Sequence, residues 1–298
     1  MALWLTLGAL NSFTSPKQPC LFTLSRGAFP SSMAPISAVV NTFNEEVHLP
    51  ACLKSLRWAA DIVVVDMHSQ DRTAEIAAAY GGRVFQHERT GYVEPARNFA
   101  IEQAKHSWVL VVDADERVSP GLASWAAGAL DTTSAVAFRI PRRNFYGQRW
   151  ITCCGWFPDE QLRLFRRERV RYTDRIHRAP VVEGRVETLP RRGDAYLMHH
   201  AFSSWEARVE KDNKYSTIAA QAMARESRRV GAGGLLARST LSFLTAYFFQ
   251  GGIFHGTLGV ALAWERAFGT FLKYAKLWEL GQKPAQAVVA PDGRDLRC

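Results

Sequence analysis

Continuous apolar runs alternate with stretches of helical spacing through the first half of the chain. The runs have the length of buried strands and lie at Ile36–Thr42, Asp61–Asp66, Arg83–Gln86 and Trp108–Asp113. Helical spacing follows each of them, at Leu49–Ala60, Ala74–Tyr80, Pro95–Lys105 and Gly121–Leu130. Strands that alternate with helices in this way predict a parallel sheet with right-handed crossovers. Because the runs are apolar at nearly every position, we expect both faces of the sheet to be covered.

The pattern changes after Ala135. Shorter strand candidates, separated by Arg-rich turns, lie at Ala135–Ile140, Gln161–Arg166, Val181–Glu187 and Ala195–His199. A polar helix is predicted over Ser203–Arg228, and glycines interrupt the apolar, aromatic stretch Leu235–Leu280. No part of that stretch reaches the ~20 uninterrupted apolar residues that a membrane-spanning helix needs. We therefore predict an α/β fold in which a mostly parallel sheet continues into a mixed extension and is followed by C-terminal helices.

These changes divide the chain into four parts. Residues 35–202 are the predicted sheet domain, and residues 203–282 are a C-terminal helical region. Residues 1–34 have no clear period and lack the basic segment and cleavage site of a signal peptide. We interpret them as a disordered leader or as a mis-assigned start upstream of Met33. Residues 283–298 are predicted to be a flexible tail.

The balance of charge favours an anionic partner. The chain has 298 residues, a formal net charge of +9 and a pI of about 9.5. This charge suits nucleic acid, phosphorylated substrates or an acidic membrane surface, and it does not discriminate among them. The five cysteines are irregularly spaced, with Cys153 and Cys154 adjacent, which predicts reduced thiols and a cytoplasmic protein.

Polar residues cluster where the predicted strands end. They are Thr42, Phe43, Asn44 and Glu45 after the first strand, Asp66 at the end of the second, and Asp113 and Asp115 at the end of the fourth. Parallel strands bring their carboxyl ends to one edge, where such sheets bind ligands. Two carboxylates one residue apart suit Mg²⁺ or Mn²⁺, which takes one or two carboxylates together with substrate phosphate oxygens. An acidic loop that caps the next helix is the alternative interpretation.

Three further residues near this edge have two interpretations each. Asp66 suits a hydrogen bond to a nucleobase or ribose, but also a turn or helix cap. Phe43 suits stacking on a base, but an aromatic residue at a strand end also suits the core. Arg97, early in its predicted helix, suits contact with a phosphate or with a helix end, but also a solvated surface.

Four ordered motifs resemble family 2 glycosyltransferases of the GT-A fold. They are Val40–Glu46, Val63–Thr73, Arg97-Asn98 and Asp113–Glu116. Later segments resemble the branch that adds glucose to the inner core of lipopolysaccharide, namely Gly155–Asp159, Arg163–Arg167 and Lys211–Tyr215. The resemblance covers about Pro35–Leu280. It implies a nucleotide-sugar donor, with UDP as the nucleotide, a divalent metal ion and inversion of the anomeric carbon.

The resemblance also implies roles for individual residues. It implies nucleoside contacts at Thr42, Phe43, Glu45 and Asp66, and metal contacts at Asp113 and Asp115. We add Asn44, Arg97 and Asp113 as candidate contacts with the nucleotide sugar. An acid later in the chain is expected to deprotonate the acceptor hydroxyl, and one base is sufficient for direct displacement.

The position of that base departs from the branch pattern. Relatives of this branch carry His-Glu where this chain has His177-Arg178. We take Asp159 as the candidate base, with a turn residue as the alternative interpretation, and His177 as the alternative base. His199 is a candidate contact for the metal or the diphosphate, although paired histidines are more often structural.

Two features bear on the acceptor. Arginines crowd the chain from Arg139 to Arg178, which suits a phosphorylated glycan, a phospholipid surface or a plain basic face. The stretch Leu235–Leu280 suits peripheral contact with an anionic membrane, or packing against the sheet domain or a second subunit. We expect a UDP-sugar donor, a glycan or glycolipid acceptor and no nucleic acid, at the inner face of the cytoplasmic membrane.

Three competing functions are weighed against this one. A sugar nucleotidyltransferase would place a Gly-rich basic loop after the first strand, where this chain has Asn44-Glu45-Glu46. A nucleic-acid-binding protein would interleave basic and aromatic residues in a recognised module. A catalytically degenerate transferase remains open because of Arg178. Within the transferase reading, a lipid-linked sugar is the alternative acceptor.

Overall fold

The computed structural model describes residues 29–30, 33–88, 94–130, 132–173, 180–202 and 204–282. Most of the predicted leader, the predicted tail and His177 lie outside these residues. The strands are β1 (Ala34–Thr42), β2 (Ala59–Asp66), β3 (Arg83–Gln86), β4 (Trp108–Asp113), β5 (Glu116–Val118), β6 (Ala137–Tyr146), β7 (Arg149–Trp150), β8 (Glu160–Arg166), β9 (Val170–Arg171), β10 (Val181–Val182), β11 (Val186–Thr188) and β12 (Leu197–His200). The helices are α1 (Leu49–Ser55), α2 (Thr73–Ala79), α3 (Glu94–Glu102), α4 (Pro120–Ala129), α5 (Trp205–Arg225), α6 (Ala232–Leu244) and α7 (Gly256–Gln282).

One sheet of ten strands runs through the described part of the chain in the order β3-β2-β1-β4-β8-β6-β12-β5, with β7 and β11 also paired to β6. The first four strands in that order are parallel. β8 is antiparallel to β4 and to β6, and β12 is parallel to β6. The predicted fold class, a parallel sheet that continues into a mixed extension before the C-terminal helices, is confirmed.

The register of the parallel strands brings their carboxyl ends together. Thr42 at the end of β1 pairs with Asp66 of β2, and Asn41 pairs with Asp113 of β4. The strand-end residues singled out in the sequence therefore share one edge of the sheet, as expected of neighbouring parallel strands.

Both faces of the parallel half are covered, as its apolar strands predict. On β1, Ala38 and Val40 belong to a core cluster with α1 and α4, whereas Val39 belongs to a second cluster with α3. Successive residues of a strand point to opposite faces, so an uninterrupted apolar run fills both cores.

The helix predicted over Leu49–Ala60 is wrong at its carboxyl end. α1 ends at Ser55, and the N–H groups of Leu56 and Ala59 donate to Leu53 O and Leu56 O in a tight turn. Ala59 then pairs with β1. The ring of Trp58 is buried in this turn and donates Nε1–H to Ser55 O, so helical spacing persists beyond the helix itself.

The single strand predicted over Val181–Glu187 is two short strands. Gly184 stands between them with a φ of +136°, which L-residues other than glycine rarely adopt. A Cβ atom at this position would also lie 2.8 Å from a methyl group of Val136. β10 consequently pairs with β9, whereas β11 turns to pair with β6.

The C-terminal helices attach to the mixed half of the sheet through a third core. Ala246 and Leu262 from the helical region contact Ile151, Cys153 and Phe202 from the sheet side. A π-helical turn and a 3₁₀ turn connect α6 to α7. None of the described helices is long and apolar enough to cross a bilayer.

A buried ion pair connects the parallel strands β1, β2 and β3 near their amino-terminal ends. The Asp61 carboxylate, 3% exposed, accepts bonds from Arg83 Nε at 2.9 Å, Ser37 Oγ at 2.7 Å and Lys105 N at 3.0 Å. Burial alone would raise the pKa of Asp61, but these donors outweigh it and hold the pKa below its usual value.

We expect Asp61→Asn to lower the free energy of unfolding by about 3 kcal/mol at neutral pH. That is the lower end of the range for breaking a buried ion pair, because Arg83 keeps partial contact with water. The folded-state pKa lies below the unfolded value, so this stability is present above about pH 4 and is lost as the pH falls further. Urea unfolding of both proteins at several pH values measures the difference.

The matched control is Glu75→Gln, which removes an exposed carboxylate paired with Arg72 on the surface. Exposed pairs contribute little, so this variant should unfold like the wild type. If the difference in free energy of unfolding between Asp61→Asn and the wild type stayed constant from neutral pH down to below pH 3, the lowered pKa of Asp61 would be contradicted.

Candidate active site

Hydrogen bonds join the loops that follow β1 and β2. The backbone N–H of Asn44 donates to Ser69 Oγ at 2.9 Å, and Asn44 Oδ1 accepts from the Gln70 N–H at 2.8 Å. The N–H of Glu45 donates to Thr73 Oγ1 at 2.8 Å. Asn44, which was predicted as a ligand residue, therefore shapes the loop through its own side chain. Its φ of 54° is positive, a conformation that asparagine tolerates better than most residues.

Unsatisfied polar atoms lie beside this loop pair at the end of β1. Thr42 Oγ1 and both amide atoms of Asn41 are buried and have no hydrogen-bond partner in the part of the chain that the structure describes. Asp66 is buried too, but it accepts bonds from Ser69 and, at 3.1 Å, from Gln86 Nε2. Buried polar groups are normally paired, so the atoms on Thr42 and Asn41 are suited to a ligand. Phe43 is half-buried at the same edge.

Asp113 is neutralised within the protein. Arg97 Nη2 lies 2.6 Å from its Oδ1, and Arg163 Nη2 contacts its Oδ2. Burial alone would raise the pKa of Asp113, but the two guanidinium groups hold it well below the usual range. Arg97, predicted as a phosphate contact, is thus placed against a carboxylate, and its Nε has no partner among the described residues.

A chain of alternating carboxylates and guanidinium groups continues from Arg163. Glu116 is fully buried, and its Oε1 lies 3.1 Å from Arg163 Nη2 and 3.1 Å from Arg142 Nη1. Its Oε2 accepts from the Asp113 N–H at 3.0 Å. Arg142 Nε then reaches Asp159 Oδ2 at 2.8 Å. The end of β4 is therefore linked to the candidate base by charge pairs alone.

Asp115 faces a histidine. His199 Nε2 lies 3.3 Å from Asp115 Oδ2, and His199 Nδ1 lies 2.6 Å from Asn144 Oδ1. The Asn144 amide donates to Trp156 O at 3.1 Å, which fixes its orientation and makes Nδ1 of the histidine the donor. In the neutral ring, Nε2 then presents a lone pair on the side of Asp115, whereas in the imidazolium form it donates a hydrogen bond to Asp115 Oδ2. Burial would raise the pKa of Asp115, but the hydrogen bond with the imidazolium form of His199, and its charge, lower it.

Glu45 adds a third acid to this edge. The pKa of Glu45 is raised to about 7, mainly by burial and next by the charge of Asp115, while the charge of Lys211 on α5 opposes the shift. A carboxylate whose ionisation is disfavoured by neighbouring acids gains from an added cation.

The residues at this edge fit a divalent metal ion only in part. Across the described ranges, no group of three His, Cys, Asp or Glu side chains is placed to hold a metal by itself. Asp115 and His199 would supply two ligand atoms to a metal ion at this edge, and the bond from His199 Nδ1 to Asn144 is the support that metal-binding histidines usually have. Mg²⁺ sites of this kind are completed by substrate phosphates and water.

Asp159 lies at the other end of the network. Its Oδ2 accepts from Arg142 and, at 3.0 Å, from Asn144, and its Oδ1 accepts from Gln161 Nε2 at 2.6 Å. Burial would raise the pKa of Asp159, but the charge of Arg142 and these hydrogen bonds lower it. The carboxylate is therefore ionised at neutral pH. His177, the alternative base, lies outside the described residues.

Some residues of the site were missed by the sequence analysis. Asn144 follows Arg142 by two positions on β6, and strand periodicity places both on one face, which was the available signal. The interpretation of the arginines as an acceptor surface does not hold for Arg143 and Arg163, each 3% exposed. Arg143 lies 3.8 Å from the ring centre of Tyr196 and serves the core instead.

Comparisons with known proteins identify the family of the chain. The model of the family "Glycosyl transferase family 2" matches residues 37–179. The lipopolysaccharide core biosynthesis glycosyltransferase LpsC of Rhizobium meliloti is 31% identical over 82% of this chain and 92% of its own. An uncharacterized glycosyltransferase of Rickettsia typhi is 27% identical over 87% of this chain and 92% of its own.

Among solved structures, that of S. aureus TarS 1-349 in complex with UDP aligns with 87% of this chain and 95% of its own, at 17% identity and a TM-score of 0.45. The assignment depends on the sequence matches, which extend over most of both chains. The resemblance seen in the motifs is thereby confirmed, and the chain belongs to glycosyl transferase family 2.

Proposed function

We propose that this glycosyltransferase is metal-dependent and inverting, and that it moves a hexose, with glucose as the first candidate, from a UDP-sugar to a lipopolysaccharide-core or other cell-envelope glycan. The observation that carries the proposal is the 3.3 Å approach of Asp115 Oδ2 and His199 Nε2 at the edge where three parallel strands end. Such an edge is where α/β sheets bind nucleotides.

The metal would be held by Asp115 and His199, and its role there would be to balance the charge that develops on the departing diphosphate. Asp113, first predicted as a metal ligand, is neutralised by Arg97 and Arg163, so we assign it to positioning the loop and to contacts with the donor. Lys211 is the cation of the helical region whose charge acts on this edge.

The nucleoside would be held at the ends of β1 and β2. The unsatisfied atoms of Thr42 and Asn41 support this assignment, since they offer both donors and acceptors to a base or ribose. Phe43 and Asp66 flank them, and Asn44 with Glu45 shapes the loop that would enclose the donor.

Asp159 would act as the base. The acceptor oxygen attacks C1 of the sugar, its proton passes to Asp159, and the bond between C1 and the diphosphate oxygen breaks, so that UDP leaves with the electron pair. Because Arg142 and Asn144 lower the pKa of Asp159, the carboxylate is ionised and ready to accept the proton at neutral pH.

The relative LpsC, named for lipopolysaccharide core biosynthesis, supports an acceptor of that class. A lipid-linked or other glycan is the alternative acceptor, and a catalytically degenerate transferase is the alternative without turnover.

We also propose peripheral contact with an anionic membrane at the inner face of the cytoplasmic membrane. Exposed apolar side chains lie along α7 at Val260, Trp264, Phe268, Phe271 and Trp278. Their spacing places them on one face of the helix over about 27 Å. In the turn before α7, Phe249 and Phe254 are 82% and 85% exposed. Aromatic stripes of this size on a basic protein suit the bilayer interface.

We expect Asp115→Asn and His199→Gln each to abolish metal-dependent release of UDP from a UDP-sugar. The loss should exceed about 100-fold, since changing residues that only support a metal ligand already costs about 10- to 100-fold. The measurement is UDP release from a panel of UDP-sugars with and without Mn²⁺ or Mg²⁺, together with calorimetric titration of UDP in the presence of Mn²⁺. Glu75→Gln serves as the control and should behave like the wild type.

Wild-type turnover that is indifferent to chelator, or Mn²⁺–UDP affinity that is unchanged in both variants, would show that these two side chains are not the metal site. Metal-dependent UDP binding without turnover of any donor would identify a degenerate transferase.

We expect Asp159→Asn to lower kcat by about 10²- to 10⁴-fold, the usual contribution of a general base. The affinity for Mn²⁺–UDP should be unchanged, because Asp159 has no bond to Asp115 or His199 and the Asn144 amide keeps its bond to Trp156 O. His177→Gln is assayed beside it. If His177→Gln lost kcat while Asp159→Asn kept normal turnover, the role of general base would be assigned to His177 instead of Asp159.

We expect the double variant Phe249→Ser, Phe254→Ser to lose binding to vesicles of phosphatidylglycerol and phosphatidylethanolamine. The loss should be at least about tenfold for each ring, given the free energy of burying a phenyl group. Co-sedimentation measures binding, and Val181→Ser, an exposed apolar change on β10, is the control. A wild-type dimer in sedimentation velocity that the double variant lacks, without vesicle binding, would assign the surface to a second copy of the chain instead.

A further inference from the structure

A cavity of about 500 Å³ lies between the mixed half of the sheet and the C-terminal helices. Asp159 and Trp156 lie in its sheet wall, Asp212 of α5 in its helical wall, and Arg266 and Lys273 of α7 complete that wall. We refer to this space, defined by these five residues, as the acceptor-side cavity. Its volume is that of a small-molecule site, and its lining includes the proposed base but none of the proposed nucleoside contacts.

Most of the charges around the acceptor-side cavity are paired with one another. Arg142 is bonded to Asp159 and to the buried Glu116. Arg208 is bonded to Asp212 at 3.1 Å and to Glu265. The carboxylates of Asp159, Asp212 and Glu265 in the wall are therefore each paired with one of these two guanidinium groups.

Arg266 and Lys273 are the cations left over. Arg266 Nη1 donates to Cys154 O at 2.8 Å and to Gln250 Oε1 at 2.6 Å, both of them neutral oxygens. Lys273 Nζ lies 4.9 Å from the ring centre of Tyr274. In the described segments neither side chain has a carboxylate partner. Two uncompensated cations in the wall of a concave site attract an anion.

The helix geometry separates these two cations from the proposed membrane surface. Arg266 and Lys273 are seven residues apart, so they lie on the same side of α7, about 10 Å from each other along its axis. At 100° per residue, that side is opposite to the apolar stripe that begins at Val260. Lipid headgroups at the stripe would therefore not satisfy Arg266 or Lys273.

Other groups in the cavity suit a sugar. Asp212 Oδ2 is buried and accepts from no N–H or hydroxyl donor among the described residues, although the Asp212 carboxylate also contacts that of Glu265. A sugar hydroxyl would supply such a donor. The half-buried Trp156 also lines this space, with the Arg208 guanidinium 5.1 Å from its ring centre. Charged, hydroxyl-accepting and aromatic groups thus line one space next to Asp159.

We propose that the acceptor-side cavity binds an acceptor sugar that carries an anionic substituent, a phosphate or a carboxylate, and that Arg266 and Lys273 hold this substituent while the accepting hydroxyl faces Asp159. The proposal rests on the proposed function, in which Asp159 is the base. Arg266 supplies planar N–H donors that match two oxygens of such a group, and Lys273 supplies a mobile point charge.

The test uses the full chain saturated with Mn²⁺ and UDP, so that the donor side is filled. UDP affinity is measured first in the wild type, Arg266→Gln, Lys273→Gln and the control Arg229→Gln, an exposed cation between α5 and α6 that is outside the cavity. Mannose 6-phosphate, glucuronate and mannose are then titrated into each loaded protein, with binding followed by calorimetry and saturation-transfer NMR. Tighter binding of the phosphate or of the uronate identifies which anionic group the site takes.

The expected result is that at least one anionic sugar binds the loaded wild type more tightly than mannose does. Arg266→Gln and Lys273→Gln should each weaken that binding by about 10- to 100-fold, as loss of a charged hydrogen bond does. Both variants should keep the UDP affinity of the wild type. Arg229→Gln should match the wild type both in UDP affinity and in sugar binding. Equal binding of all three sugars, binding of none of them to a UDP-loaded protein, or unchanged binding in both variants would overturn the proposal. Failure to bind UDP at all would instead contradict the proposed function.

Discussion

The fully buried carboxylate of Glu116 is the constraint on which the site depends. An isolated carboxylate in such a position costs several kcal/mol, so it requires cationic partners. Arg142 comes from β6 and Arg163 from β8, and each lies 3.1 Å from Glu116 Oε1. The N–H of Asp113 donates to the other oxygen. The end of β4 is thereby fixed to the first two strands of the mixed extension, and so is the proposed donor side relative to the proposed acceptor side.

This arrangement separates two acids that are neighbours in the sequence. Arg163 also contacts Asp113, and Arg97 completes the neutralisation of that carboxylate. Asp115 faces His199 instead, and its charge contributes to the raised pKa of Glu45. Among the described residues, neither Asp115 nor Glu45 has a guanidinium partner, so a divalent cation is a suitable complement to these two acids.

Local patterns account for what the sequence could predict. The apolar runs mark β1 to β4, and the parallel arrangement then brings Thr42, Asp66 and Asp113 to one edge. The partners of these residues were not predictable, because they depend on non-local pairing. His199 meets Asn144 only because β12 pairs with β6 in that register, and Arg163 is distinguished from solvated arginines only by its burial. The carboxyl end of α1 was predicted too far along the chain, because the burial of Trp58 in the turn after Ser55 continues the helical spacing of apolar residues.

Asn144 connects the two halves of the site. Its Oδ1 accepts from His199 and its Nδ2 donates to Asp159 at 3.0 Å, so the amide cannot rotate without breaking both bonds. The orientation of the imidazole and that of the carboxylate are therefore set by one side chain. Asn144 and Arg142 also explain why Asp159 is ionised despite its burial, which by itself would favour the neutral acid. Asn144 and Arg142 thus make Asp159 a weaker base, but they keep it in the charged form at neutral pH. A general base needs that form in order to accept a proton from a hydroxyl group.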